Sequence, residues 1–232
     1  MISVESKFRI AKRGFENTIV LVPGWATDYR IFDTLDLNYD YLLPIDFNPA
    51  GFENTLKEFL KAESIGRVSL FGWSQGGFLA SDFASRNPEN INELILTGIR
   101  KNYDQKTLEE IKLKLTKNKR AFLYKFYLDC FSPADNQARA WFKSRLLKDY
   151  LDNMSVEQLI EGLDYLSRAG INTESLSGIK KIRIFHGTED RIAPLQEALE
   201  VKSCLPQAEF IRIDGSGHLV FLNPDFKERF NG

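Results

Sequence analysis

Arg67-Val68-Ser69-Leu70-Phe71-Gly72-Trp73-Ser74-Gln75-Gly76-Gly77-Phe78-Leu79-Ala80 is the stretch whose reading decides the fold. Its opening residues 67–71 read as a strand, its closing residues read as a helix, and the junction fits G-x-S-x-G. A strand that turns sharply into a helix around one serine is a nucleophile elbow. Side chains at Gly72 and Gly76 would clash with so tight a crossing. The backbone N–H of Gln75 then points toward any negative charge that develops beside Ser74, and the new helix adds its positive end there.

A serine hydroxyl is a weak nucleophile until a base takes its proton, and histidine has the pKa for that task. The chain has only two histidines, His186 and His218. His218 sits in the loop Asp214-Gly215-Ser216-Gly217-His218, after the strand-like residues 209–213. His186 closes the strand-like residues 181–186 and reads as structural. Just beyond it, Asp190 in Gly187-Thr188-Glu189-Asp190 is placed to orient a histidine, with Glu189 as its close competitor. The resulting chain order is Ser74, Asp190, His218.

Residues 18–22, Thr-Ile-Val-Leu-Val, read as a central strand that runs into Pro23-Gly24-Trp25. Acyl transfer needs a second N–H facing the oxyanion, and this loop supplies it in the expected fold. The pair expected is the backbone N–H of Trp25 with that of Gln75.

These motifs run through the whole chain and resemble the α/β-hydrolase superfamily. Within it, Pro23-Gly24-Trp25 and Gly72-Trp73-Ser74-Gln75-Gly76-Gly77 resemble the pimeloyl-acyl-carrier-protein methyl ester esterases of biotin synthesis. The resemblance implies a Ser74-Asp190-His218 triad, oxyanion donors at Trp25 and Gln75, and a carrier-bound methyl ester as substrate. Two departures are visible. The loop begins Pro-Gly where the family has His-Gly, and Asp46-Phe47-Asn48-Pro49-Ala50-Gly51-Phe52 lacks the serine of the usual D-x-P-G-x-G-x-S stretch.

At 232 residues and 43% hydrophobic content the chain is long enough for a full core in one domain. A formal net charge of −1 gives no overall drive toward nucleic acid. Cys130 and Cys204 lack metal or redox spacing, so no cofactor or metal is expected. The first seven residues contain no apolar h-region, and no run approaches a membrane span, so the expected location is the cytoplasm.

Strand-like residues 2–11, 18–22, 41–45, 67–71, 91–97, 181–185 and 209–213 alternate with helical segments. One of these, residues 55–62, is expected to be capped by Asn54. The pattern predicts an α/β fold with a mostly parallel, doubly wound sheet. Residues 1–98 and 179–232 form the expected core, and residues 99–178, with helices over 107–117, 119–130, 136–149 and 155–169, form an inserted lid. Ser155-Val156-Glu157-Gln158 fits a capping-box start.

From Arg100 to Tyr150 there are 13 Lys or Arg against 6 Asp or Glu, a net of +7. By the resemblance, this surface docks an acidic acyl carrier protein, through candidates among Lys112, Lys114, Lys117, Lys119, Arg120, Arg139, Lys143 and Arg145. Trp73, Phe122, Phe126 and Trp141 are the expected substrate-pocket residues. The expected activity is serine esterase. The rivals are a general carboxylesterase or thioesterase on the same machinery, and a hydrolase-like binding protein without turnover.

Overall fold

The computed structural model describes residues 7–45 and 48–231. β2 (Thr18–Val22) is an interior strand of the sheet, and its last four residues are buried. That is the environment in which a continuous β-branched run is stable. β2 pairs in parallel with β3 (Asp40–Pro44) on one side and β4 (Val68–Trp73) on the other. β5 (Ile91–Thr97), β6 (Ile182–Gly187) and β7 (Glu209–Ile213) extend the sheet in parallel. β1 (Phe8–Ala11) closes the opposite edge antiparallel to β3, giving the order β1-β3-β2-β4-β5-β6-β7. All seven expected strands are present, although residues 2–6 of the first, and Asp46 and Phe47 of the departing motif, lie outside the described residues.

Helices cover both faces. Consecutive strand residues point to opposite sides. Phe71 of β4 meets Phe226 of α9 (Asp225–Asn231) edge-on and Phe185 of β6 packs on it at a tilt, at 6.0 and 4.8 Å between ring centroids. Leu96 points the other way, where Gly77 of α2 (Gln75–Arg86) lies close enough for a Cβ to reach it at 3.8 Å. α1 (Phe52–Ala62) packs its Phe52 and Phe59 on Phe8 of β1. α1 starts earlier than expected. A short turn, Pro49–Gly51, capped by the Asn48 side chain on the Ala50 N–H, leads into it, so Asn54 is helical and caps nothing. α8 (Leu195–Ser203) connects β6 to β7.

Between β5 and β6 come α3 (Gln105–Lys117), α4 (Lys119–Asp129), α5 (Asn136–Arg145), α6 (Leu147–Asn153) and α7 (Val156–Leu166). The expected helix over 136–149 is two helices, broken at Leu146, where ψ −35° with φ −120° leaves the helical line. Ser155 caps α7 by accepting from the Gln158 N–H at 3.0 Å. The insertion is pinned where it leaves and rejoins the core, by a bridge between Asn102 and Gly170 and by Ile171 N–H donating to Lys101 O at 2.9 Å. Among the described residues no helix is long and apolar enough to cross a membrane.

Candidate active site

β4 ends at Trp73 and α2 begins at Gln75, so the reversal falls on Ser74 alone. Its φ of 54° and ψ of −117° lie where a side chain is strained, at a cost of about 1–3 kcal/mol. The surroundings impose that shape. Ser74 N–H donates to Thr97 O and Gly77 N–H donates to Ser74 O, both at 2.9 Å. A Cβ on Gly72 would lie 2.5 Å from Gly76 O, and one on Gly76 would collide with Val22 O.

The loops after β6 and β7 deliver the other two groups. His218 Nδ1 lies 2.7 Å from Asp190 Oδ2, with both side chains buried. The carboxylate accepts, so the proton sits on Nδ1 and Nε2 keeps its lone pair. Asp190 Oδ1 accepts from the Ile192 and Ala193 N–H groups, each at 2.8 Å. Burial alone would raise the Asp190 pKa. The charge and hydrogen bond of His218, with smaller help from His186 and the Ala193 amide, hold it below the usual carboxylate range. Among the described residues Glu189 makes no hydrogen bond or ion pair with His218. Its N–H donates to Ser216 O, which braces the histidine loop. His186 is fully buried, its Nε2 2.8 Å from Ala193 O and 3.5 Å from Asp190 Oδ2. Burial pulls its pKa down, which suits a neutral supporting ring.

The loop after β2 lies over the serine. Gly24 is close enough that a Cβ there would touch Ser74 Cβ at 3.2 Å. Gln75 N–H and Trp25 N–H donate to no acceptor among the described residues. Ala26, just beyond Trp25, has φ 60°, a second strained non-glycine turn. Ser74 retains only 7% of its surface and His218 only 1%, because the insertion is closed over them.

Several residues that no local pattern revealed hold this arrangement. Tyr103, six residues past the end of β5, brings its phenol close to the Ser74 side chain, and burial raises its pKa. Its ring packs on Phe78 and under the Arg100 guanidinium, 4.6 Å from the centroid. Asp135, ahead of α5, accepts from the Ser132 and Gly217 N–H groups at 2.8 Å each. His218 N–H donates to Cys130 O, also at 2.8 Å. The loop carrying His218 is therefore seated on the insertion. The only sequence signal for Asp135 is an acidic residue before a helix, which reads as an ordinary cap.

The expected pocket residues divide. Phe122 and Phe126 meet the Trp25 ring edge-on at 6.3 and 5.1 Å. Trp73 does not face a pocket. It is 1% exposed, packs on Phe221, and donates its indole N–H to His218 O at 2.9 Å, so it buttresses the histidine from the core. Trp141 is half-buried on α5 and makes no ring contact or hydrogen bond with the triad residues or the Trp25 loop among the described residues. A cavity of about 270 Å³ is lined by Trp25 and Gln75 together with Met154, Leu159 and Gly162.

The basic surface also needs correction. Lys112 is held between Glu109 and Asp164, each at 2.7 Å, and is not free to dock a partner. Lys119 donates to Met154 O at 2.8 Å, and Arg120 pairs with Asp152. Asp152 and Asp164 follow Tyr150 in sequence, so a charge count that stops there overstates the exposed positive surface. Arg139 donates to Asn136 Oδ1 at 2.6 Å. Lys143 and Arg145 are exposed and carry no ion pair among the described residues.

A parallel sheet with its serine on a strained turn after β4, and Asp and His on the loops after β6 and β7, defines a hydrolase architecture. Residues 40–225 match the family model for the alpha/beta hydrolase fold, and the chain belongs to that family. Among curated relatives, a pimeloyl-[acyl-carrier protein] methyl ester esterase of Nitrosomonas europaea is 27% identical, over 91% of this chain and 92% of that protein. A 2-hydroxy-6-oxononadienedioate/2-hydroxy-6-oxononatrienedioate hydrolase of Paraburkholderia phymatum is also 27% identical, over 95% of this chain and 75% of the other. Among solved structures, a bromoperoxidase from Bacillus anthracis superposes with a TM-score of 0.82 at 18% identity, covering 97% of this chain and 93% of that one.

Proposed function

We propose that this chain is a serine esterase that removes the methyl group from a pimeloyl-acyl-carrier-protein methyl ester. The observation that carries the reading is the Asp190–His218 pair, which leaves His218 Nε2 without a hydrogen-bond partner among the described residues, together with a strained Ser74 and two unpaired amides. Ser74 Oγ attacks the ester carbonyl as His218 Nε2 takes its proton. The Trp25 and Gln75 N–H groups bind the resulting oxyanion. His218 then protonates the departing methanol, and water, deprotonated by the same nitrogen, hydrolyses the acyl-enzyme. Asp190 holds the tautomer and stabilises the imidazolium. Because Ser74 is nearly covered, the insertion acts as a lid that opens for the acyl chain.

The substrate class rests on the esterase relative and on the shared tryptophan-bearing motifs. An acidic carrier would meet the lid at Lys143 and Arg145, beside a groove walled by Arg120, Lys143 and Lys148 and floored by Leu147 and Leu151. The reading places the protein in the cytoplasm, with no metal or cofactor. The internal pairing of Lys112 and Arg120 leaves fewer free cations and favours the second reading, a general carboxylesterase for free esters.

Mass spectrometry of pimeloyl-carrier-protein methyl ester, incubated with wild type and with Ser74→Ala, tests this. The expected result is loss of the methyl group with wild type only. An untouched carrier substrate, together with Ser74-dependent cleavage of short free esters, would sink the carrier reading and leave the general esterase. Release of the whole acyl chain with its methyl ester intact would identify a thioesterase.

A further inference from the structure

We propose that lid helix α7 sets the oxyanion hole, with Gly162 as its positioning residue. The inference rests on the reading above that the Trp25 and Gln75 amides form that hole. The side chains of these same two residues are tied to one helix. The Trp25 indole N–H donates to Leu159 O at 2.8 Å, and the Gln75 side-chain amide donates to Gly162 O at 2.9 Å. Leu159 and Gly162 are three apart, so their carbonyls lie along one face of α7. A carbonyl oxygen has two lone pairs and can accept a second bond while keeping its helical one. Each tether fixes a residue whose main-chain N–H must point at a developing charge.

Gly162 is what lets the helix come this close. A Cβ there would lie 2.6 Å from Trp25 Cδ1, 3.0 Å from Trp25 Nε1 and 3.2 Å from the Gln75 side-chain nitrogen. Glycine is a poor choice for a helix interior, so a local folding preference does not account for it. A third tether comes from α4. Tyr127 donates its hydroxyl to Ala26 O at 2.5 Å and holds the left-handed turn that follows Trp25. Phe126 closes the other side of the Trp25 ring. The hole is complete when the lid is down, and the helix that covers the substrate is the one that aligns the donors.

The test compares full-length wild type, Gly162→Ala and Tyr127→Phe with a short p-nitrophenyl ester. Two inhibitors of equal chain length are used, an alkyl trifluoromethyl ketone and the matching methyl ketone. The first adds to Ser74 and places an alkoxide in the hole, and the second does not. For Gly162→Ala the expected result is a kcat lower by about 10–100-fold, with KM within about threefold. Affinity for the trifluoromethyl ketone should fall by a similar factor and that for the methyl ketone should hold. Tyr127→Phe should move the same quantities by up to about tenfold, and it keeps the test alive if Gly162→Ala does not fold. In a Trp25→Ala background the Gly162→Ala change should have little left to do.

Wild-type trifluoromethyl ketone affinity in folded Gly162→Ala would overturn the proposal. So would an equal loss for both ketones, which would mean a blocked pocket, or a full Gly162→Ala effect in the absence of Trp25. If wild type showed no Ser74-dependent hydrolysis and no preference for the trifluoromethyl ketone, the serine-esterase reading would itself fall, and this inference with it.

Discussion

Asp190→Asn changes one atom and should stop the chemistry without loosening the fold. The Asp190 carboxylate accepts three hydrogen bonds, Oδ1 from the Ile192 and Ala193 amides at 2.8 Å each and Oδ2 from His218 Nδ1 at 2.7 Å. An asparagine at this position must keep its oxygen toward the two backbone donors, because its NH2 cannot accept from them. The NH2 then faces His218 Nδ1 and donates to it. The histidine proton moves to Nε2, the nitrogen needed to take the serine proton, and the base is occupied. A wrong tautomer of this kind lowers kcat by about 10⁴, or about 5.5 kcal/mol of transition-state stabilisation. All three contacts survive in altered sense, so the melting midpoint should stay within a few degrees. Initial rates on a p-nitrophenyl ester at saturating concentration, with thermal unfolding alongside, measure both quantities. A kcat loss below tenfold, or a loss confined to KM, would refute the tautomer argument and put Asp190 outside the catalytic machinery.

Other consequences follow from single contacts. Tyr103→Phe removes a polar neighbour of the Ser74 hydroxyl, so fluorophosphonate labelling of Ser74 should speed up by at most about tenfold, and slower labelling would count against that role. His186 has a depressed native pKa, so as pH falls through about 6.5 the unfolded chain takes the proton first and stability drops, by at most about 1.4 kcal/mol per pH unit. His186→Gln should flatten that slope in urea titrations between pH 5 and 6.5, and an unchanged slope would disprove the linkage. Arg183 lies buried against Glu93 and over the Phe230 ring, and it also donates to Phe230 O, tying α9 to β6. Glu93→Leu should therefore cost about 3–5 kcal/mol in chemical unfolding by stranding a buried guanidinium, and a loss under 1 kcal/mol would contradict this.

The core was legible because its constraints are local. A tight crossing must have glycine at positions 72 and 76, and a strand buried on both faces must be apolar and β-branched, so residues 18–22 and 67–76 announce themselves. The order of Ser74, Asp190 and His218 needed only strand ends. The insertion was legible as helix but not as chemistry. Tyr103, Asp135 and Gly162 act on groups 29 to 87 positions away, and no periodicity within a helix reports a partner at that distance. The same blindness made Trp73 look like a pocket wall, when its partner is a main-chain oxygen 145 residues on. It also made Lys112 look free, when Asp164 of α7 neutralises it.

The seat of the histidine loop bears on how such enzymes diversify. Cys130 O and the Asp135 carboxylate fix the main chain at His218 and Gly217, and both belong to the connection between α4 and α5 of the insertion. The insertion cannot then be exchanged as a cassette. A chimera that grafted a foreign cap between β5 and β6 would carry off two of the anchors of its own His218 loop. New specificities in this lineage would have to arise by substitution on the existing helices, with the 130–135 segment kept as a fixed splice.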